Sequence, residues 1–136
     1  MGQEPGGEMI VGTGIDIVEC DRLQKSLDKF GQSFVDYFCT AAEQAAAPSN
    51  PNARLVYYAS RWAAKEACAK ALGTGFGAEC GWKDIEVAKL PSGQPAIVLN
   101  GNAKETANKL GINRFHLSIS HERHYATAVV IAEKDS

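Results

Sequence analysis

The sequence predicts a single α+β domain, an antiparallel sheet packed with helices. Three observations lead there. Strand-like runs come in neighbouring pairs joined by short turns, across residues 91–95 and around 122–124, and short links make antiparallel partners. Residues 54–72 are alanine-rich and free of internal proline and glycine, the make-up of a long helix. The chain has 136 residues, 45% hydrophobic and 22% charged, which suits one domain able to bury about two thirds of its unfolded surface.

The elements follow in order. Residues 9–18, with Ile10, Val11, Ile15, Ile17 and Val18, read as a strand. Residues 21–38 read as a helix. At roughly 100° per residue, Leu23, Leu27, Phe30, Phe34 and Phe38 share one face, and Arg22, Lys25 and Lys29 form a basic stripe on the other. Thr40 and Glu43 have capping-box spacing and open a short helix to about Ala47. Two prolines in 48–52 break the chain before the helix 54–72, which Gly73 ends. Residues 84–90 and 96–99 read as a hairpin. A helix over 102–110 stops at Gly111, and strands over 115–120 and 125–132 follow. The expected order is β-α-α-α-β-β-α-β-β. Residues 1–8, rich in glycine, read as a disordered extension or tag remnant, leaving 9–136 as the domain.

Composition excludes several classes. The net charge of −2 gives no general affinity for nucleic acid, so a polyanion site needs local clustering. No apolar run reaches the roughly 18 residues of a membrane span. The four cysteines form no C-x-x-C pair, which argues against a zinc knuckle. With no secretory leader in the sequence, reduced thiols in a cytoplasm fit best.

A few residues stand out chemically. Asp16 sits between Ile15 and Ile17 near the end of an apolar strand. A carboxylate there caps the next helix (as Asp21 also could), pairs with a base, or holds a metal. Glu66 and Lys70 are four apart on one helix face, the spacing of a common surface ion pair. Their neighbours are small and apolar, which lets another group approach the backbone closely. The loop that follows carries Gly73, Thr74, Gly75 and Gly77, and bare N–H groups beside a lysine make a sensible anion cradle. No Gly-Lys-Ser/Thr follows, so this is not a P-loop. Gly12-x-Gly14 lacks the third glycine of a dinucleotide fingerprint. His116, His121 and His124 have no recognised zinc spacing and read as an anion contact or a buried structural histidine.

Several stretches resemble the holo-acyl carrier protein synthases. They are Gly14-Ile15-Asp16-Ile17-Val18-Glu19, the run Arg61 to Gly75 with its W-x-x-K-E-A-x-x-K-A-L-G-T-G pattern, Trp82 to Val87, Gly93-Gln94-Pro95, and Ser118-Ile119-Ser120-His121. The likeness runs from Met9 to about Glu133. Departures are mild: Cys20 and Cys68 replace bulkier apolar residues, Phe38-Cys39-Thr40 varies an aliphatic-Leu-Thr, and residues 41–47 carry little charge.

The resemblance implies a 4′-phosphopantetheinyl transferase-like fold and a reaction. The phosphopantetheine arm of coenzyme A moves to a serine of apo acyl carrier protein, releasing adenosine 3′,5′-bisphosphate. A divalent ion, usually Mg²⁺, is expected on Asp16 and Glu66, an oxygen-only set that suits it. Lys70 is expected on the phosphates. Arg61 and His121 are expected at the nucleotide's phosphate end, with Gly73, Thr74, Gly75, Gly77 and Pro95 completing the coenzyme A site. Glu66 is the first choice of base, through a metal-bound water, and Asp16 the second. Arg22, with Lys25 and Lys29, is expected to meet the acidic carrier protein. On a helical wheel Glu66 and Lys70 are about 40° apart but Arg61 is roughly 140° from Glu66. A homotrimer with sites between subunits would resolve this, as the resemblance also implies. The rivals are the same domain cut from a fatty acid synthase and a non-catalytic nucleotide-binding module.

Overall fold

The computed structural model describes residues 8–135 and has the expected class, helices packed with antiparallel sheet. β1 (Glu8–Glu19), β5 (Tyr125–Asp135) and β4 (Arg114–His121) form one sheet in the order β1-β5-β4. β2 (Ile85–Lys89) and β3 (Pro95–Leu99) form a separate hairpin beside β4. The helices are α1 (Cys20–Phe30), α2 (Gln32–Phe38), α3 (Ala41–Ala45), α4 (Pro51–Leu72) and α5 (Gly101–Lys109). Residues 1–7, which hold most of the expected extension, lie outside the described residues. Its last residue, Glu8, instead begins β1 by pairing with Asp135.

α4 covers one face of the three-stranded sheet, lying against β1 and β5. Strand alternation then sorts the side chains. Val18, Ala126, Ala128, Val130 and Ala132 are buried, whereas Ile15, Ile17 and Val129 on the opposite face are exposed. The seat of α4 on β1 is close because both surfaces are nearly bare. A Cβ added at Gly14 would stand 1.8 Å from the Ala67 carbonyl oxygen, and one at Gly12 would stand 2.0 Å from that of Ala71. Gly12-x-Gly14 is therefore a packing device, and the small residues of α4 admit β1.

The single helix expected over 21–38 is two helices. Gly31 turns the chain with φ +59, a value that favours glycine. The expected apolar face breaks with it: Leu23 and Phe38 are buried, but Phe30 is exposed. α4 starts before Arg54, with Pro51 in its first turn and the Asn50 side chain accepting from the Asn52 and Ala53 amides at 3.0 Å. Its left-handed cap is Gly73, φ +78. A single 3-10 turn, Trp82–Asp84, precedes β2 where the sequence reading began the strand at Asp84.

The Thr40–Glu43 capping box forms, but its glutamate does more. The Glu43 carboxylate accepts from Thr40 N at 2.8 Å, from Val87 N at 2.8 Å and from Lys65 Nζ at 2.7 Å. Lys65 also donates to the Phe38 and Trp82 carbonyls. Both charged side chains are fully buried. This pair ties α2, α3, α4 and β2 together behind the site.

Candidate active site

The close seat of β1 on α4 builds an acidic corner. Gly14 brings β1 down onto Ala67, and Asp16, two residues on along the same strand face, meets the helical turn that carries Glu66 and Lys70. Lys70 Nζ lies 3.3 Å from Asp16 Oδ1 and donates to the Ile15 carbonyl at 2.9 Å. The Asp16 carbonyl accepts from Thr127 Oγ1 at 2.7 Å, which fixes the strand under the carboxylate. Asp16 does not cap α1, whose N-cap is Glu19 without a side-chain bond. The ion pair made by Lys70 reaches across to β1 and is not the i, i+4 surface pair that the spacing alone suggests.

Both acids are uncomfortable as anions. Burial pushes the Asp16 carboxyl up, opposed by the Lys70 hydrogen bond and charge. Burial also pushes Glu66 up, and the Asp16 charge raises it further against the pull of Lys70. Two half-buried carboxylates that repel each other and present only oxygen form a donor set for a hard divalent cation. Among the described residues no third His, Cys, Asp or Glu completes a cluster. An ion such as Mg²⁺ fits such a pair, because it keeps several positions for water and phosphate oxygens.

A small cleft of about 260 Å³ opens beside this corner, lined by Asp16, Glu19, Arg22, Ser26, Phe34 and Trp62. Arg22, Lys25 and Lys29 are all exposed along α1. A second, larger groove of about 900 Å³ runs between α3, α4, the β2–β3 hairpin and the end of β4. Arg61, Pro95 and His121 line it together. Asp16, Glu66 and Lys70 do not belong to that groove. The chain thus carries the expected site residues in two groups, on different sides of α4.

The glycine loop lines neither cleft. Gly73 and Gly75 take φ of +78 and +63, and Thr74 Oγ1 donates to the Gly75 carbonyl at 2.8 Å. Gly77 bridges to Cys80, and Phe76 stacks on Trp82 with ring centroids 3.7 Å apart. The loop is clamped one turn beyond Lys70. The histidines are all exposed, which overturns the buried structural reading. His121 faces the groove, and His116 meets Glu133 at 3.0 Å.

The sequence reading missed Lys65, Glu43 and Tyr57 as a connected set. Trp62, Cys68 and Ala69, three and four residues from Lys65, were the available signal that this lysine lies on an apolar stripe.

Comparison with known proteins converges on one family. Residues 12–130 match the model of the 4′-phosphopantetheinyl transferase superfamily. The chain is 46% identical over 127 residues to the holo-[acyl-carrier-protein] synthase of Maridesulfovibrio salexigens, covering 93% of this chain and 100% of that one. The crystal structure of the Neisseria meningitidis holo-[acyl-carrier-protein] synthase superposes with TM-score 0.85 at 36% identity, covering 93% of this chain and 100% of that chain. The Helicobacter pylori synthase, solved in complex with coenzyme A, gives TM-score 0.78 at 34% identity, over 88% and 98% of the two chains. With the fold, the motifs and the full-length relatives in agreement, the chain belongs to the 4′-phosphopantetheinyl transferase superfamily.

Proposed function

We propose that this protein is a holo-acyl carrier protein synthase. It transfers the 4′-phosphopantetheine arm of coenzyme A to a serine of apo acyl carrier protein. The observation that carries the reading is the likeness to such synthases over their whole length, with Asp16, Glu66 and Lys70 gathered at one corner. The serine oxygen attacks the phosphorus next to the pantetheine, the pyrophosphate bond breaks, and adenosine 3′,5′-bisphosphate leaves with the bonding electrons. Glu66 takes the serine proton, because burial and the Asp16 charge hold its carboxyl above the ordinary value and favour its protonated form. Lys70, about half exposed, turns to the phosphates and stabilises the departing bisphosphate. Asp16 and Glu66 would hold Mg²⁺, which supplies charge neutralisation at the pyrophosphate. Arg61, His121 and Pro95 bind the nucleotide end, and the N–H groups of Gly73, Thr74, Gly75 and Gly77 serve its phosphates. The four free, buried thiols fit a reducing cytoplasm.

The separation of the two residue groups supports sites shared between subunits of a homotrimer, as does the sheet face that leaves Ile15 65% and Ile17 66% exposed. The exposed Arg22, Lys25 and Lys29 suit an acidic carrier. Mass spectrometry of apo carrier protein incubated with the chain, coenzyme A and Mg²⁺ tests the activity. A gain of one phosphopantetheine is expected, and no gain sinks the reading. Omitting Mg²⁺ should abolish the gain. Mixing inactive Glu66→Gln with inactive Arg61→Ala should restore part of it if sites are shared, and a dilute, fully active monomer rules the trimer out. Arg22→Glu with Lys25→Glu should slow carrier association at low salt, and unchanged kinetics there would count against this surface.

A further inference from the structure

Tyr57 stands one helical turn before Arg61 on α4, so the two side chains share a face. The Arg61 guanidinium carbon lies 4.0 Å from the centroid of the Tyr57 ring, a cation–π contact. The ring is itself tethered. Its hydroxyl donates to the Glu43 carbonyl at 2.6 Å, and Glu43 is locked by Lys65, Thr40 and Val87. On the backbone side, Ser60 Oγ donates to the Tyr57 carbonyl at 2.7 Å and accepts from Arg61 Nη1 at 3.0 Å. The guanidinium is therefore held on its face by the ring and on its edge by Ser60. Among the described residues, Arg61 Nε is buried and has no hydrogen-bond partner. An unmet buried donor is costly, and an anion in the groove is the natural partner for it.

We infer that Tyr57 is a positioning residue. Its ring, fixed through the hydroxyl to the buried Lys65–Glu43 pair, holds Arg61 poised for an anionic group of the nucleotide. The inference rests on the proposed role of Arg61 at the phosphate end of coenzyme A. Holding a side chain in its bound orientation lowers the ordering cost of binding, so the effect falls on affinity and leaves the chemical step alone.

The experiment compares Tyr57→Leu, Tyr57→Phe, Arg61→Ala and the double variant Tyr57→Leu/Arg61→Ala. Calorimetry reads affinity for adenosine 3′,5′-bisphosphate, carrier loading reads KM for coenzyme A and kcat, and thermal melts report folding. Tyr57→Leu should weaken bisphosphate binding on the order of tenfold and raise KM with kcat kept. Tyr57→Phe keeps the ring face and should lose no more than about threefold. In the Arg61→Ala background, Tyr57→Leu should add nothing. If the leucine substitution costs the same with and without Arg61, or lowers kcat with KM unchanged, the positioning role is overturned. If Tyr57→Leu does not fold, Tyr57→Phe and Tyr57→Phe/Arg61→Ala take its place, and either no loss on removing the hydroxyl or a loss undiminished by Arg61→Ala overturns the role. Should Arg61→Ala bind the bisphosphate as tightly as the parent protein, the role of Arg61 fails, and this inference fails with it.

Discussion

Lys65 and Glu66 are adjacent on α4, yet the two charge clusters they belong to are opposites. Lys65 and Glu43 are fully buried, and their polar atoms are met by Thr40, Val87, Phe38, Trp82 and each other. Asp16, Glu66 and Lys70 are partly open; burial pushes both carboxyls up, and the Asp16 charge raises Glu66 further. The first cluster has nothing left to bind. The second holds charge that its own protein does not relieve, which is where a cation and a proton-transfer partner gain most from arriving. One helix thus carries an architectural ion pair and, in the proposed mechanism, a reactive one, a single residue apart.

The largest effect should come from breaking the reactive cluster. Glu66→Gln keeps the shape and removes the charge, and turnover should drop on the order of 10²–10⁴ if Glu66 is both ligand and base. Asp16→Asn should raise the Mg²⁺ concentration needed for activity. Stability should hold or rise in both, since an ill-solvated charge is gone. Near-normal turnover at limiting Mg²⁺ would show that the strained corner is not the reactive one.

The architectural pair should fail the other way. Lys65→Ala strands the Glu43 carboxylate in the core, and urea unfolding should show a loss of about 3–5 kcal/mol. Lys65→Met with Glu43→Leu removes both charges and should recover most of it. A Lys65→Ala protein as stable as its parent would mean that the buried network carries little, and the contrast between the clusters would disappear.

How legible this was in the sequence differs between the clusters. Asp16, Glu66 and Lys70 were readable because charges stand out in an apolar strand and an alanine-rich helix. Lys65 was hidden by lying in that same run, since its partner Glu43 is 22 residues away and had a complete local explanation as a capping residue. Gly12-x-Gly14 lacks the third glycine of a dinucleotide fingerprint and has no role in the sequence alone; only the tertiary approach of Ala67 and Ala71 shows the two glycines as packing. The split at Gly31 was missed because the apolar period runs unbroken through Phe30 and Phe34, and periodicity cannot see a backbone that turns with φ +59.

The smallest effect is the dependence of stability on pH, and it sharpens the comparison most cleanly. With chelator present, Asp16 and Glu66 have folded values above their unfolded ones. The native state therefore keeps protons that the unfolded chain has released, and stability falls as pH rises through that window. The window opens at the ordinary carboxylate values and closes once both acids are ionised in the native state. A double variant, Asp16→Asn with Glu66→Gln, lacks this term. Its melting temperature should match the parent below the window and exceed it by a few degrees above. Asp36, whose carboxyl is lowered by bonds from Gln32 and Gln44, contributes with the opposite sign but is common to both proteins and cancels. Adding Mg²⁺ at neutral pH should narrow the gap by stabilising the parent alone. A gap that is flat with pH, or that favours the parent above the window, would mean that Lys70 already satisfies the two carboxylates, and the corner would then resemble the buried pair beside it.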